Sequence, residues 1–328
     1  MAVQRKTLEK YLAELRKIEK HRGENAEKNI RRIYKELLKD LQEFLGVEYA
    51  TFADGEELSV LTLQKKGEYA RFLEEVEQRL NNFTPKAAAE IRETVEKTYS
   101  ACYVGMIESV QKCVDLGAEL PAFYYLTPEV VKRAVENPIS GLTLPDRLEK
   151  QRKEVIYDIK QNINVGLMNG DRYNTMANRI RERVDVSYRK AVTTVRTESR
   201  RSQEAGFNDC ADECDKELRK NGFVMTKTWR TQKDERVRPQ RAAYKRKAGV
   251  KARKKYTSGL RSSLSGANHM KMEGQTVLQT EKFDLGGGVK TVAPCQSGVA
   301  AQDINCRCYV SRDIMTIEEY EKLTGKKV

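Results

Sequence analysis

The sequence predicts an α+β protein that is predominantly α: an N-terminal helical region, then a long helix, then a small C-terminal mixed α/β domain. Three observations predict it. Up to residue 222 the apolar residues recur at three-and-four spacing, the period of one helix face. Asn221-Gly222 then punctuates the chain, and β-branched and aromatic residues gather in short runs between glycines. The 328 residues are 39% hydrophobic and 33% charged, polar for a globular chain but enough for a core, with room for two or three domains.

Residues 1–120 read as the helical region. Leu8, Tyr11, Leu12, Leu15 and Ile18 make a thin apolar stripe, and Ile30, Ile33, Tyr34, Leu37, Leu38, Leu41, Phe44 and Leu45 make a fuller one. Asp54-Gly55 is a turn. The helical pattern resumes at Tyr69, Phe72, Leu73, Val76 and Leu80, and Pro85 is expected to open a further helix past Tyr99, Tyr103 and Ile107. Residues 121–145 hold Pro121, Pro128, Pro138 and Pro145 and read as a broken connector, because proline supplies no interior helix N–H.

Residues 146–222 are a helical lead-in and the long helix. Val155, Ile156, Ile159 and Ile163 lead to a turn at Asn169-Gly170-Asp171. Met176, Ala177 and Ile180 mark one helix, and Tyr188, Ala191, Val192 and Val195 start the last long one, which runs to about Arg219. Residues 223–314 form the small domain, with a basic insert at 239–268. Its expected strands are Phe223–Thr231, Gln275–Phe283, Val289–Val292 and Cys308–Val310, around the loop Gly286-Gly287-Gly288. Residues 315–328 are a C-terminal helix and tail, opened by the capping-box pair Thr316 and Glu319.

Composition excludes several function classes. No apolar run approaches the roughly eighteen residues of a membrane span, and the N-terminus lacks an apolar leader core. Seven unevenly spaced cysteines do not form a disulfide framework, so a reducing compartment during synthesis is expected. The two histidines, His21 and His269, rule out a His-rich metal site. No phosphate-binding or dinucleotide-binding glycine motif and no H-E-x-x-H is present. The charge is localised: Arg236 to Met272 holds twelve Lys or Arg and no acid, against a net +13 for the whole chain.

Behind residue 195 stands an ordered series of motifs: Val195-Arg196-Thr197-Glu198, Ala205-Gly206, Lys227-Thr228-Trp229-Arg230-Thr231, Asp234-Glu235-Arg236-Val237-Arg238, His269 with Gly274-Gln275, Lys282-Phe283-Asp284, Ala293-Pro294, and Asn305-Cys306-Arg307-Cys308. The series resembles the tailed-phage head morphogenesis family, the Mu F-like minor capsid proteins, over about residues 140–312. It departs from the family in the roughly thirty residues between Arg238 and His269. The resemblance implies a non-enzymatic minor head protein. Its partners would be the portal protein and capsid or scaffold proteins. It would reside in the virion, at the portal vertex or capsid interior, and in the host cytoplasm during assembly, with no membrane association.

Several residues carry candidate chemistry. His269, Cys306 and Cys308, with Cys295, are the residue types of a zinc tetrahedron; equally, the cysteines are small buried apolar groups and His269 a hydrogen-bonded hinge, with no cofactor. Cys210 and Cys214 share a helix face among acids. Arg196, Glu198, Asp234, Arg236 and Arg238 read as ion pairs and turn bonds locking the sheet to the long helix, and Trp229 as a core anchor between the two. Gly274, Pro294, Asn305 and Arg307 complete the structural set. Arg241, Lys245, Arg246, Lys247, Lys251, Arg253, Lys254, Lys255 and Arg261 are the residues for nonspecific contact with double-stranded DNA, with Tyr244 and Tyr256 available to stack. Two alternatives stand beside the structural role: a metal-dependent nuclease-like enzyme around Asp234, His269 and Cys306, and a DNA-binding accessory protein.

Overall fold

A computed structural model describes residues 5–114, 126–232 and 269–328. Pro121, Asp234, Arg236, Arg238 and the DNA-contact set from Arg241 to Arg261 lie outside the described residues. The predominantly α expectation holds, with eight α-helices and five short strands among the described residues. None of these helices is long and apolar enough to cross a membrane. The chain divides into two compact units. One takes Met1–Arg22, Val95–Thr143 and Arg196–Val328; the other takes Gly23–Thr94 and Leu144–Val195.

The helices are fewer and longer than the residue pattern suggests. The two N-terminal stripes belong to one helix, α1 (Arg5–Phe52). After the turn at Asp54, Ser59 caps α2 (Val60–Lys65) by accepting from Thr62 N. Pro85 does not open a helix but lies inside α3 (Tyr69–Cys113). It is tolerated there because Pro85 and Asn81, whose carbonyl loses its helical donor, are both exposed, while Leu80, Ala87 and Ile91 keep the buried stripe continuous. Two prolines of the expected connector lie at helix starts. Pro128 opens α4 (Pro128–Val135), capped by Thr127, and Pro145 is the second residue of α5 (Leu144–Asn169). Gly170, at φ +65°, makes the turn into α6 (Tyr173–Lys220). The separate helices expected at Met176 and Tyr188 are this single α6, since Ile180, Val184, Ser187 and Ala191 carry the buried face across the gap.

The unit containing Gly23–Thr94 is a helical core of Leu37, Leu41 and Leu45 (α1), Phe72, Val76 and Leu80 (α3), Ile159 and Ile163 (α5), and Ile180 and Val184 (α6). Each such side chain contributes roughly 1.5–3 kcal/mol on burial.

The other unit carries the sheet. β1 (Phe223–Arg230) lies between β2 (Thr276–Leu278) and β5 (Tyr309–Thr316), antiparallel to both, with Trp229 opposite Val310. β3 (Phe283–Asp284) and β4 (Lys290–Thr291) form a separate pair across the three-glycine loop, where Gly286, Gly287 and Gly288 all have positive φ. The expected strand Gln275–Phe283 is interrupted after Leu278, where the chain turns and Gln279 N donates to Met225 O at 2.9 Å. The run Cys308–Val310 belongs to the longer β5.

Phe223, Met225 and Ile314 pack on Phe207, Cys210, Cys214 and Leu218 of α6 and on Tyr99, Tyr103 and Met106 of α3. The opposite sheet face buries Val224, Leu278 and Met315 under Tyr320. Tyr320 belongs to α8 (Ile317–Thr324), which has the expected capping box between Thr316 and Glu319. The backbones of α6 and α3 come close at Gly206, where a Cβ would lie 2.4 Å from Tyr99 O. A short α7 (Ala300–Asp303) stands in the loop before β5.

Candidate functional site

The loops beyond β1 bring His269, Cys306 and Cys308 together. His269 opens a 3-10 turn (His269–Met272) and is 2% exposed. Asn305, at φ +58°, turns the chain, and the extended run beyond it puts Cys306 and Cys308 on one side. Their thiols face the same ring nitrogen: Cys306 Sγ is 3.6 Å and Cys308 Sγ 3.7 Å from His269 Nδ1. The three ligand atoms lie within 4.8 Å of one another. His269 Nε2 donates to Gln302 Oε1 at 2.9 Å, which sets the tautomer and leaves the Nδ1 lone pair toward sulfur.

Cys295 sits beside this trio and is not one of its three converging atoms; its thiol donates to Cys306 O at 3.6 Å. Hydrogen bonds from the Cys295 and Cys308 thiols, helped by His269, hold the Cys306 thiol well below the ordinary cysteine range against the effect of burial. Cys295, the donor in that pair and itself buried, is pushed well above it.

Trp229 is fully buried, but its neighbours differ from those expected. It packs edge-on against His269 at 5.4 Å and Phe283 at 5.3 Å, inside a cluster with Leu285, Ala293, Cys295, Cys308 and Val310. The sheet residues packed on α6 are Phe223, Met225 and Ile314.

The arginine-threonine-glutamate run of α6 anchors these loops. Thr197 Oγ1 accepts from Asn305 N at 3.2 Å, and Arg200 Nη2 donates to Arg307 O at 3.4 Å. Glu198 is buried and pairs with Arg201 at 3.1 Å, while Arg196 is exposed. Arg201, which sequence reasoning missed, donates to Cys295 O at 3.0 Å and to Asn137 O at 3.1 Å. Gly274, at φ +81°, donates its N–H to Trp229 O at 2.9 Å. Pro294 precedes Cys295 in a turn closed by Gln296 N and Ala293 O at 3.3 Å.

A second feature escaped the sequence pattern: a buried polar layer between α6 and the sheet. Gln279 Nε2 donates to Asn208 Oδ1 at 3.0 Å and Asp212 Oδ1 at 2.7 Å, and Arg312 Nε donates to Gln279 Oε1 at 3.3 Å. Asp215 accepts from Met225 N at 2.7 Å. Burial raises the pKa of Glu204, while Arg16, Arg312 and Arg200 oppose it. Burial, with help from Arg312, pushes Lys227 down to about 8. The one sequence signal was the spacing of Glu204, Asn208, Asp212 and Asp215 along a single helix face. Cys210 and Cys214 are an ordinary buried helix face, 3.8 Å apart within the apolar cluster.

The enzyme alternative needs an open cleft of convergent polar groups. The His269, Cys306 and Cys308 trio is buried, between 2% and 7% exposed, and Asp234 lies outside the described residues.

Comparison with known proteins bears out the resemblance carried by the motifs. Residues 157–311 match the family described as Phage Mu protein F like protein. The chain is similar to the minor head protein GP7 of Bacillus phage SPP1, at 29% identity over 286 residues, covering 86% of this chain and 80% of that protein. It is also similar to the NAD(+)--arginine ADP-ribosyltransferase EFV of Enterococcus faecalis, at 25% identity over 301 residues. That match covers 92% of this chain but 54% of the other, so this chain spans about half of that protein's length. No solved structure matches it.

Proposed function

We propose that this chain, Mu F-like over residues 157–311, is a minor head protein with a structural role in phage head morphogenesis. The observation that carries the reading is the similarity to a minor head protein along 86% of this chain and 80% of that one. The motifs support it physically. Thr197, Glu198 and Trp229 are buried, and hydrogen bonds of Thr197 to Asn305, of Arg200 to Arg307 and of Gly274 to Trp229 tie loops to helix and strand, a structural use of these residues. In this reading the protein joins the capsid assembly at the portal vertex or capsid interior, and no reaction is catalysed.

Residues 236–272 make the contact with packaged DNA. Twelve cationic side chains without an acid release counterions from a phosphate backbone and read no base sequence.

The transferase-named relative supplies the competing reading. Both relatives match over most of this chain, so much of what is shared with the transferase is shared with a head protein too. The name of the longer protein therefore does not assign transfer chemistry to the shared half.

Deleting residues 241–262 and measuring portal copurification and DNA affinity tests the proposal. We expect DNA affinity to fall, portal association to persist, and the wild-type log–log salt slope to be about −5 for roughly six phosphates. Unchanged DNA affinity in the deletion variant rejects the DNA contact. Transfer of label from NAD to an arginine-containing protein by the purified chain rejects the structural reading.

A further inference from the structure

We infer that His269, Cys306 and Cys308 bind a zinc ion, with Cys295 as the fourth ligand, and that this ion closes the loop core around Trp229. The first support is metric. Zinc bonds of about 2.3 Å to sulfur and 2.0 Å to nitrogen at a tetrahedral angle place S and N about 3.5 Å apart. The two thiols lie 3.6 and 3.7 Å from His269 Nδ1.

The second support is the Gln302 bond, since zinc-bound histidines commonly donate their other ring N–H to an oxygen that fixes ring orientation, and here it leaves Nδ1 facing both thiols.

Cys295 completes the set on separate grounds. It stands third in the turn Ala293-Pro294-Cys295-Gln296, at φ +64°, a place that glycine fills without strain. A cysteine held in a left-handed conformation beside two converging thiols points to a job for its sulfur. Its thiol touches the Cys306 carbonyl, beside the converging trio. The short C-x-C spacing is no obstacle, because residues two apart in an extended chain face the same way.

The test uses the full chain, purified under reducing conditions. Zinc content is measured after dialysis, and cobalt(II) is titrated into the metal-free protein. We expect one zinc per chain, and a cobalt spectrum with tetrahedral d–d bands and thiolate-to-metal charge transfer. A wild-type chain that takes up neither ion overturns the site, whatever the variants do. Cys295→Gly relieves the backbone strain and should fold; we expect at least a tenfold loss of zinc affinity. Unchanged affinity in that variant removes Cys295 from the ligand set. Cys113→Ser, a buried cysteine outside the loop core, should leave metal content unchanged, and its loss of zinc would mark the binding as unspecific thiol chemistry.

Discussion

Gly206→Ala isolates the close approach of α6 to α3. In an unencumbered helix this change stabilises, because alanine exceeds glycine by about 0.8–1 kcal/mol in helix propensity. Here the added Cβ would stand 2.4 Å from Tyr99 O, 3.1 Å from Cys102 Cβ and 3.2 Å from Tyr103 N. Ordinary contact needs roughly 1 Å more. The nearest obstacle is backbone, so no side-chain rotation relieves it and the two helices must part. Overpacking of this kind costs about 1–3 kcal/mol, in the upper part of that range for a rigid obstacle, so the net effect is a destabilisation of about 1–2 kcal/mol. Trp229 is the only tryptophan and is fully buried in the same compact unit, so its fluorescence reports urea unfolding of that unit. Gly46→Ala in α1 is the control. Its Cβ would meet nothing nearer than Tyr173 Cε2 at 4.0 Å, so this change should gain up to about 1 kcal/mol by circular dichroism. A Gly206→Ala midpoint equal to or above wild type would refute the packing argument.

Arg201→Met removes the partner of buried Glu198 and the donors to Cys295 O and Asn137 O, and should cost about 3–5 kcal/mol in chemical denaturation. Replacing Glu198 by Leu in the same chain should recover part of that loss, and a purely additive double variant would contradict the pairing. Burial pushes Lys227 down to about 8 from an ordinary lysine value of 10.5, so between these values the unfolded chain binds more protons and stability rises with pH. Relative to Lys227→Met, whose side chain cannot titrate, wild type should gain up to about 3 kcal/mol over that window; parallel stability–pH curves would show that Lys227 is not desolvated. Trp229→Ala should destabilise its unit by about 3–5 kcal/mol while the helical core of the other unit stays folded, read by hydrogen exchange at Leu41 and Val76.

Much of the local structure was legible in the residues. The period of Leu37, Leu41 and Leu45, the turns at Asp54 and Gly170, the end of α6 at Gly222, the first strand and the Thr316 capping box depend on nearest neighbours, and all appear in the fold. The order of the motifs was enough to identify the family resemblance. Whether helices break was less legible. Pro85 and the polar stretch around Asp185 look like ends, but a helix continues where its buried face continues and its unpaired carbonyl meets solvent.

The residue pattern by itself determined that helix dominates up to Gly222 and that short strands follow, because periodicity and capping are local hydrogen-bond and side-chain matters. It also singled out His269, Cys306 and Cys308 by chemical type. Only the tertiary structure decided that their side-chain atoms meet within 4.8 Å while Cys295 stands beside them. It also decided that Trp229 packs on His269 and Phe283, and that Arg201 pairs with Glu198. The physical reason is that these contacts join residues far apart in sequence. An arginine on a helix presents the same local pattern whether its face meets water or a buried carbonyl, and which it meets is set by how the loops fold back over the helix.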